Sequence, residues 1–328
     1  MIIAHPEYNV DRNLPRNFEE KDRVLFQFAL SVKITPTTVE VVNNVDILRN
    51  TIFNRYKLKF YSNHALLQKD SIKEKICKLL MLCRSSKKVD KAIWIIDSWS
   101  SGYFHWFTDA LPRLIASEKL LNNHVVLLPK AYQKEEFILQ SLEMLDMQVE
   151  FYSTIQRVHL AELILPSHTA PVSGNYNQVY INKVRDKFLR ENNLAPTRKI
   201  YISRKKANKR KILNEDSIVP LLESFGYELH YFEDYEFKDQ LTLMHQTKYL
   251  VSLHGAGLTN MLFMAKGGKI LELRNANDPY NNCYFSLASD LNHNYYYLSN
   301  IGNTSETHNV NITVDIPSLI EVLELMEA

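Results

Sequence analysis

The sequence predicts an α/β protein with two domains, and three observations support this prediction. The chain has 328 residues, more than the roughly 250 to 300 at which a single hydrophobic core usually stops growing. Hydrophobic residues make up 45% and charged residues 23%, as is typical of a folded globular protein. Short apolar runs alternate with helix-like segments along most of the chain, which favours parallel strands in sheets covered by helices.

The alternation is regular from residue 199 onward. The strand-like runs are KIYIS, YELHYF, YLVSL and KILEL, and the helix-like segments are EDSIVPLLESFG, which Gly226 ends, YEFKDQLTLMHQTK and AGLTNMLFMAKGG. Such alternation implies right-handed crossovers and a parallel sheet. We predict a doubly wound, Rossmann-like domain over residues 176–315. A C-terminal helix over 316–328 is expected to pack back on the first domain.

The first half of the chain shows the same alternation less regularly. AIWIID, HVVLLP and AELILP are typical of strands, and YFHWFTDALPRLIASEKLL and AYQKEEFILQSLEML are typical of helices. These segments predict a second α/β domain over residues 1–175. Within it, residues 1–85 mix the strand-like TTVEVV with the helix-like SIKEKICKLLMLC, and their place in the fold stays open.

Composition restricts the compartment and the classes of partner. The 39 basic and 37 acidic residues give a net charge of +2, which provides no global field for nucleic acid. Cys77, Cys83 and Cys283 lack metal-ligand spacing and are too few for a disulfide framework, so we expect buried thiols in a reducing compartment. The N-terminus lacks a secretory signal pattern, and no apolar run reaches the roughly 18 residues of a membrane helix. We expect a cytoplasmic protein of unassigned oligomeric state, with peripheral membrane contact left open.

The stretch LVSLHGAGLTNMLFM joins a strand to a helix through a nearly uncharged turn. In an open α/β sheet, ligands bind beyond the carboxyl ends of strands, where helix N-termini present free amides. Gly255 and Gly257 would allow positive φ angles and let backbone amides approach a phosphate closely. The candidate ligand-binding residues of this turn are His254, Gly255, Ala256, Gly257, Thr259 and Asn260. The alternative is a tight structural turn with a core histidine, since the pattern matches neither GxGxxG nor GxxxxGK[ST].

A basic segment, YISRKKANKRKILNE, follows a strand earlier in the same domain. Arg204 and Arg210 are its best phosphate-binding candidates, because an arginine fork holds two oxygens at once. Its lysines are expected to lie in a solvated loop. Glu272 ends the strand KILEL, where a carboxylate commonly binds ribose hydroxyls. Together these features predict a nucleotide-diphosphate pocket that needs no metal.

The helix FHWFTDALPRL carries the candidate catalytic residues. His105 and Asp109 lie four residues apart, hence on one helix face. Such a pair can deprotonate a hydroxyl, with either residue acting directly or orienting the other. We favour Asp109 as the base and His105 as its partner, and the reverse stays open. The plainer alternative is a carboxylate favoured by the helix dipole beside a packed histidine. Arg113 is expected to pair with Asp109 or to reach the ligand.

FHWFTDALPRL, YISRKKANKRKILNE and LVSLHGAGLTNMLFM followed by KILEL together resemble the family 61 glycosyltransferases, over roughly residues 90–300. HGAGLTN is the most specific part of the resemblance. It implies a GT-B fold, in which two Rossmann-like domains face each other across a cleft. It also implies an inverting, metal-independent transfer from a nucleotide sugar, commonly UDP-linked. Arg113, Glu215 and Asn282 are then further candidates for the cleft, and core packing is the expected role of Tyr284.

The chain lacks the signal anchor and secretory cysteines of the eukaryotic members of that family. It resembles the short bacterial members associated with capsule or surface-polysaccharide assembly, which implies a cytoplasmic enzyme, with contact at the inner face of the membrane left open. The expected partners are a nucleotide-sugar donor and a glycan or glycolipid acceptor, with no cofactor and no metal. The alternative is a nucleotide-sugar-binding protein without transfer activity. A dehydrogenase is disfavoured by the missing glycine fingerprint.

Overall fold

The structure, a computed structural model, describes residues 1–61, 71–189, 195–304 and 309–328. The chain folds as two compact units: the first comprises Met1–Tyr8 and Ile34–Ser173, and the second comprises Asn9–Lys33 and Gly174–Ala328. The change of unit after Ser173 lies close to the predicted boundary at residue 175. Two segments differ from the prediction, because residues 9–33 and the C-terminal residues 316–328 both belong to the second unit.

The bounds of the regular elements are as follows. The strands are β1 (Ile2–His5), β2 (Tyr8–Asp11), β3 (Ser31–Ile34), β4 (Thr37–Leu48), β5 (Thr51–Asn54), β6 (Lys59–Phe60), β7 (Ser86–Ile93), β8 (Val125–Pro129), β9 (Val149–Tyr152), β10 (Arg157–Pro166), β11 (Arg198–Ile202), β12 (Glu228–His230), β13 (Thr247–Leu253), β14 (Lys269–Asn275), β15 (Asn294–Gly302) and β16 (Ile312–Thr313). The α-helices are α1 (Arg23–Leu30), α2 (Ile72–Leu80), α3 (Tyr103–His105), α4 (Leu111–Ala116), α5 (Glu136–Met144), α6 (Gln178–Phe188), α7 (Glu215–Ser224), α8 (Phe237–His245), α9 (Cys283–Asp290) and α10 (Ile316–Glu327).

The first unit is built on a mixed sheet. Its strand order is β6-β5-β4-β10-β7-β8-β9, and β1 also pairs with β4. Strands β10, β7, β8 and β9 are parallel neighbours, as the predicted strand–helix alternation requires. Strands β4, β5 and β6 continue the sheet from β10 in antiparallel fashion. Residues 37–60, whose place the sequence left open, therefore form the antiparallel part of this sheet.

The second unit contains the predicted parallel sheet. Its strand order is β12-β11-β13-β14-β15-β16, and all neighbours are parallel except the edge strand β16. Because β12 and β13 lie on opposite sides of β11, the strand order reverses between β11 and β13. Ligands of open α/β sheets bind beyond the carboxyl ends of the strands at such a reversal. The basic segment follows β11 and the HGAG turn follows β13, so both leave the sheet at this point.

Buried contacts hold residues 9–33 to the second unit. Arg12 forms an ion pair with Asp290, 2.7 Å from Nη2 to Oδ2, and both side chains are fully buried. Phe26 of α1 packs edge-on against Phe285, with 5.0 Å between ring centroids. These contacts join residues almost the whole chain apart, which explains why no local pattern predicted them.

The C-terminal helix α10 also belongs to the core of the second unit. Leu319, Leu323 and Met326 have no exposed surface and share a hydrophobic cluster with Leu271 and Leu273 of β14. This arrangement differs from the expectation that the helix packs back on the first domain. The apolar stripe of α10 packs on the sheet of the second unit, as the apolar face of a surface helix usually packs on the nearest core.

The cysteines differ in their exposure to solvent. All three cysteines are free; Cys77 and Cys283 are partly buried, whereas Cys83 is exposed, so the expectation of buried thiols is wrong for Cys83. Burial raises the pKa of the Cys283 thiol. Within the described parts of the chain, every helix is too short or too polar to cross a lipid bilayer.

Candidate functional site

The backbone stays extended at the start of the HGAG turn, directly after β13. The amide of His254 donates to the carbonyl of Leu273 at 2.9 Å. Gly255 follows with φ 165° and ψ 173°, an extended conformation open to any residue. A 3₁₀ helix over Ala256–Phe263 then begins, where the sequence predicted a short helix. Neither Gly255 nor Gly257 adopts the left-handed conformation that a glycine allows; the described glycines that do are Gly174, Gly226 and Gly267.

Close approach of neighbouring side chains explains both glycines of the turn. A Cβ on Gly255 would lie 2.2 Å from Nη1 of Arg204, so only a hydrogen fits beside that guanidinium. A Cβ on Gly257 would lie 3.0 Å from Cγ2 of Ile202, a buried residue of β11. Gly255 thus lets Arg204 lie on the turn, and Gly257 lets the 3₁₀ helix pack on the sheet. A side chain at position 257 would press on the core of the sheet.

Arg204 organises the basic segment through backbone carbonyls. Its Nε donates to the carbonyl of Arg210 at 3.2 Å, and its Nη2 donates to that of Lys209 at 3.0 Å. Burial, and then the nearby charge of Arg210, lower the pKa of Arg204. Arg210 has a positive φ of 58° and lines a pocket beside His254. Arg204 therefore shapes the loop, and Arg210 is the arginine of the pair that reaches the pocket.

A buried carboxylate holds the imidazole of His254. Its Nδ1 is hydrogen-bonded to Oε1 of Glu272, which has no exposed surface. The hydroxyl of Tyr295 donates to Oε2 of Glu272 at 2.5 Å. Burial raises the pKa of Glu272, but the charge and hydrogen bond of His254, the charge of Arg274 and the Tyr295 hydroxyl outweigh it, so the net pKa lies below the ordinary 4.5. The structure thus gives Glu272 protein partners in place of the expected ribose hydroxyls.

Tyr284 supports the other side of the same imidazole. Its ring lies edge-on to His254, with 4.9 Å between centroids, and only 4% of the residue is exposed. Burial is the main reason that the pKa of Tyr284 is raised. Core packing, the role expected from the sequence, is therefore what its position supports.

A small pocket with both polar and apolar lining opens beside His254 at the carboxyl ends of β13 and β14. Its polar lining consists of Arg210, His254, Arg274, Asn275, Asp278 and Asn281. The two arginines exceed the one carboxylate of this lining, Asp278, so it favours an anion such as a diphosphate. Charged donors make the strongest hydrogen bonds to phosphate oxygens.

Arg274 is a residue of this pocket that sequence reasoning missed. Its Nη1 donates to Oδ1 of Asn282 at 2.9 Å, and its Nη2 donates to the carbonyl of Asp278 at 2.8 Å. Burial lowers the pKa of Arg274, but Tyr295, Glu272 and Asp278 raise it by more, so the guanidinium stays charged. The available signal was its position two residues after Glu272, at the end of the same strand.

The remaining predicted residues of the HGAG turn face the protein interior. Thr259 has no exposed surface and Asn260 is 2% exposed. The side-chain amide of Asn260 donates to the carbonyl of Gly257 at 3.1 Å, which closes the turn. Ala256 is partly buried. Thr259 and Asn260 therefore stabilise the turn, and the expected polar contacts of their side chains with a ligand are not available in this arrangement.

Glu215 and Asn282, two candidates for the cleft, also have protein partners. Oε1 of Glu215 accepts hydrogen bonds from the hydroxyls of Tyr201 and Ser203, both at 2.6 Å. The side-chain amide of Asn282 donates to the carbonyl of Leu25 at 2.7 Å. Both residues are buried, so their positions support a role in fixing the carboxyl edge of the sheet.

The lysines of the basic segment behave as the expected solvated loop. Lys205 pairs with Asp216 at 2.9 Å and Lys206 pairs with Asp234 at 2.6 Å, in each case through exposed side chains. Exposed ion pairs of this kind contribute little to stability, on the order of 0 to 1 kcal/mol. They also occupy the two lysine ammonium groups with acidic partners.

The helix with His105 and Asp109 contains a π-helical turn. Trp106–Ala110 forms this turn between α3 and α4, and the amide of Leu111 bonds to the carbonyl of Trp106 five residues earlier. Pro112 follows and has no N–H, so the regular α-helical hydrogen bond cannot form at that position. Single π turns inside helices occur frequently at functional sites. The turn widens the helix at Asp109.

His105, Asp109 and Ser173 form a hydrogen-bonded group in the first unit. Nδ1 of His105 lies 2.7 Å from Oδ2 of Asp109. The hydroxyl of Ser173 donates to the same Oδ2 at 2.8 Å and lies 3.1 Å from Nδ1. The side chain of His105 is 27% exposed and that of Asp109 is 7% exposed. The imidazole is thus the accessible member, and Asp109 is placed to orient it.

Ser173 and Trp99 were not predicted as members of this site. Ser173 lies in the loop after β10, where several similar serines and threonines give no local signal. Trp99 is 52% exposed, and its ring centroid lies 5.3 Å from that of His105. An exposed aromatic ring beside a histidine offers an apolar surface of the kind that stacks on ligands.

Arg113 lies four residues after Asp109 and has no exposed surface. Its Nη2 donates to the carbonyl of Pro166 at 3.1 Å. Burial lowers the pKa of Arg113 to about 10, against the opposing effects of Asp97 and Asp109, so it stays charged at neutral pH. Both carboxylates favour its charged form, and its burial leaves no surface for direct contact with a substrate.

Comparison with known proteins places the chain in a family. The model of the family Glycosyltransferase 61 matches residues 103–271, just over half of the chain. The matched range includes His105, Asp109 and the HGAG turn. The chain belongs to glycosyltransferase family 61.

The chain is also similar to animal EGF domain-specific O-linked N-acetylglucosamine transferases. The protein of Drosophila melanogaster is 38% identical over 91 residues, which are 27% of this chain and 17% of that protein. The protein of Mus musculus is 37% identical over 84 residues, 24% of this chain and 16% of that protein. The protein of Gallus gallus is 32% identical over 95 residues, 27% of this chain and 17% of that protein. Each match thus covers only a small part of the relative's length.

Proposed function

We propose that the chain is a glycosyltransferase that moves a sugar from a nucleotide donor, with UDP as the nucleotide, to a saccharide hydroxyl. Membership of glycosyltransferase family 61 is the observation that carries this proposal. The polar pocket beside His254 supports it, because it lies at the carboxyl edge of a parallel sheet, where nucleotides bind in related folds. A protein that only binds nucleotide sugars would need this pocket and would have no use for the His105–Asp109 pair.

The donor diphosphate is proposed to bind Arg210 and His254, and the largely buried guanidinium of Arg274, which lines the same pocket, adds positive charge. With Nδ1 bonded to Glu272, His254 has Nε2 left to donate to a phosphate oxygen. These groups would stabilise the negative charge that develops on the leaving diphosphate, the kind of preorganised electrostatics that often contributes most to enzymatic rates. Because three cationic or hydrogen-bonding groups stabilise this charge, we propose that transfer does not need a divalent metal.

The proposed base is His105, with Asp109 as the residue that orients it. This reverses the preference drawn from the sequence, and the exposures of the two side chains support the change. If Nδ1–H of His105 donates to Asp109, Nε2 can accept the acceptor's hydroxyl proton. The acceptor oxygen then bonds to the anomeric carbon as the bond to the diphosphate oxygen breaks, and the electron pair of that bond leaves with the nucleotide. Attack from the face opposite the diphosphate inverts the anomeric configuration.

Several finer parts of the proposal rest on the resemblance of sequence motifs. They are the GT-B arrangement of two Rossmann-like domains across a cleft, the inverting outcome, a glycan or glycolipid acceptor in surface-polysaccharide synthesis, and a cytoplasmic location. The animal relatives are named for N-acetylglucosamine transfer, so N-acetylglucosamine is the first donor sugar to test.

A thermal-shift panel followed by a turnover assay tests the proposal. Ligand binding to the folded state raises the unfolding temperature, so UDP and its sugars should stabilise the chain in the presence of EDTA, more than adenine or guanine nucleotides do. Release of UDP in the presence of mixed saccharide acceptors then separates transfer from binding alone. Stabilisation or turnover that requires added magnesium or manganese would contradict the metal-free mechanism, and binding without any turnover would favour the binding protein.

A further inference from the structure

Helix α2 of the first unit turns its apolar face away from the protein. The exposed fractions are 79% for Ile72, 53% for Ile76, 39% for Leu79 and 64% for Leu80. At 3.6 residues per turn these positions form one continuous stripe. The opposite face holds the helix in place through Lys78, which is 8% exposed and donates from Nζ to Oγ1 of Thr51 at 2.6 Å. An ordinary surface helix has the reverse arrangement, with the apolar stripe inside.

The helix is anchored at both ends, so its exposed stripe is a feature of an ordered element. At the N-terminus, the amide of Glu74 donates to Oγ of Ser71 at 3.2 Å, and the amide of Ser71 donates to the Glu74 carboxylate at 2.7 Å. This reciprocal pair is a capping box. At the C-terminus, Met81 is buried in a small cluster with Leu48 and Phe53.

Basic side chains border the apolar stripe on both sides. Lys73 and Lys75 are exposed, and the helical repeat places one on each flank of the stripe. Long lysine side chains in such positions lay their methylene stems along apolar surface and keep the ammonium group in water. The acidic residue of the helix, Glu74, falls with Lys78 on the opposite face and is engaged in the capping box.

The turn between β5 and β6 repeats this combination of apolar and basic residues. Tyr56 is 75% exposed and Leu58 is 79% exposed, and they alternate with the exposed Lys57 and Lys59. The two strands are tied to the end of α2, because Phe53 of β5 shares the buried cluster of Met81. The helix and the turn therefore belong to the same part of the first unit.

We propose that α2 and the β5–β6 turn form a docking surface for a lipid bilayer that carries anionic headgroups. Aliphatic side chains would enter the boundary between headgroups and acyl chains, and the flanking lysines would pair with the anionic headgroups. A second copy of the same surface is a poorer partner, because a two-fold interface would bring like-charged lysines together. The proposal concerns a surface of the first unit and does not rest on the proposed transferase activity.

Flotation of the full chain with vesicles tests the proposal. Phosphatidylcholine vesicles are compared with vesicles that also contain phosphatidylglycerol. The expected result is binding to the anionic vesicles that falls at high salt, as screening of surface charge requires. The variant Ile76→Ser/Leu80→Ser should lower binding by about tenfold or more, because it removes apolar surface that the bilayer would bury. Lys73→Gln/Lys75→Gln should lower it by about tenfold on anionic vesicles alone.

Ile3→Ser is the matched control, because Ile3 is 67% exposed in the same unit and pairs with Thr38 near the start of β4, whereas β5 pairs with the end of β4. It should bind vesicles as the unchanged chain does. Thermal unfolding checks that each variant is folded. If a double variant does not fold, its two single variants are tested instead. The proposal is overturned if the unchanged chain ignores anionic vesicles, or if folded variants bind as well as it does. Light scattering that shows a dimer dissociated by Ile76→Ser/Leu80→Ser, without vesicle binding, would identify the surface as a protein interface instead.

Discussion

Nδ1 of His254 is hydrogen-bonded to the carboxylate of Glu272, and this carboxylate is completely buried. The two residues come from the neighbouring strands β13 and β14, and His254 lies one residue beyond the end of β13. The pairing fixes which nitrogen of the imidazole remains for a ligand.

The first prediction concerns Glu272 as a positioning residue. Glu272→Gln should lower the free energy of unfolding of the ligand-free chain by about 1 to 3 kcal/mol, because a buried acceptor of two hydrogen bonds is altered. Its lowered pKa means that the ionised carboxylate contributes stability above pH 4.5, and that this contribution is lost as the pH falls through the lower folded-state pKa. Denaturant unfolding at several pH values measures both effects. If the stability of the ligand-free chain is unchanged but its affinity for uridine nucleotides is lost, Glu272 binds the ribose, as the sequence predicted.

The second prediction concerns the contact between Gly255 and Arg204. Gly255→Ala should displace the Arg204 guanidinium, because the new Cβ would lie 2.2 Å from Nη1. The basic loop then loses the two hydrogen bonds that Arg204 donates to it. Gly255→Ala and Arg204→Ala should therefore weaken UDP binding to a similar extent, and the double variant should be no worse than either. A double-mutant cycle by calorimetry measures this coupling, and strictly additive losses would mean that the two residues act independently.

The third prediction separates the arginines from the lysines of the basic segment. Arg210→Ala should weaken UDP binding by about tenfold or more, because Arg210 lines the pocket and a charged hydrogen bond is worth roughly 1.5 to 3 kcal/mol. Lys206→Ala is the matched control, since Lys206 is paired with Asp234 on the surface, and it should change affinity by less than about twofold. Equal losses from both variants would indicate a diffuse basic surface without a specific arginine contact.

Sequence reasoning succeeded where structure depends on local pattern. The alternation after residue 199 predicted the parallel strands of the second unit, and the spacing of His105 and Asp109 predicted their contact at 2.7 Å. It failed where distant residues decide the outcome. The requirement for glycine at position 255 depends on a guanidinium from the loop after β11, and the position of Arg12 depends on Asp290, 278 residues later. Contacts of this kind leave no periodic or motif signal in one sequence.

The fourth prediction concerns acid stability and His293, which is 8% exposed. Its Nε2 bonds to the carbonyl of Met261 at 2.9 Å, and burial lowers its pKa from the ordinary 6.5 to about 4. Between these pH values the unfolded chain binds a proton that the folded chain does not, so stability falls as the pH falls, by up to about 1.4 kcal/mol per pH unit from this group. His293→Gln keeps an amide donor for Met261 and does not titrate. Its free energy of unfolding should therefore depend less on pH from 6.5 to 4; parallel pH profiles would contradict this assignment.

The last prediction assigns the roles of His105 and Asp109. If His105 is the base, His105→Ala should keep UDP affinity and lower transfer by about a hundredfold or more, the usual scale for loss of a positioned base. Asp109→Asn should lower transfer comparably, because the imidazole loses the carboxylate that orients it, whereas Ser173→Ala should have a smaller effect, since Asp109 still holds the ring. Chemical rescue separates the two roles: added imidazole should restore part of the activity of His105→Ala, and added formate should not restore that of Asp109→Gly to the same degree. If only formate rescues activity, Asp109 is the base. If His105→Ala and Asp109→Asn are both fully active, this helix takes no part in the chemistry.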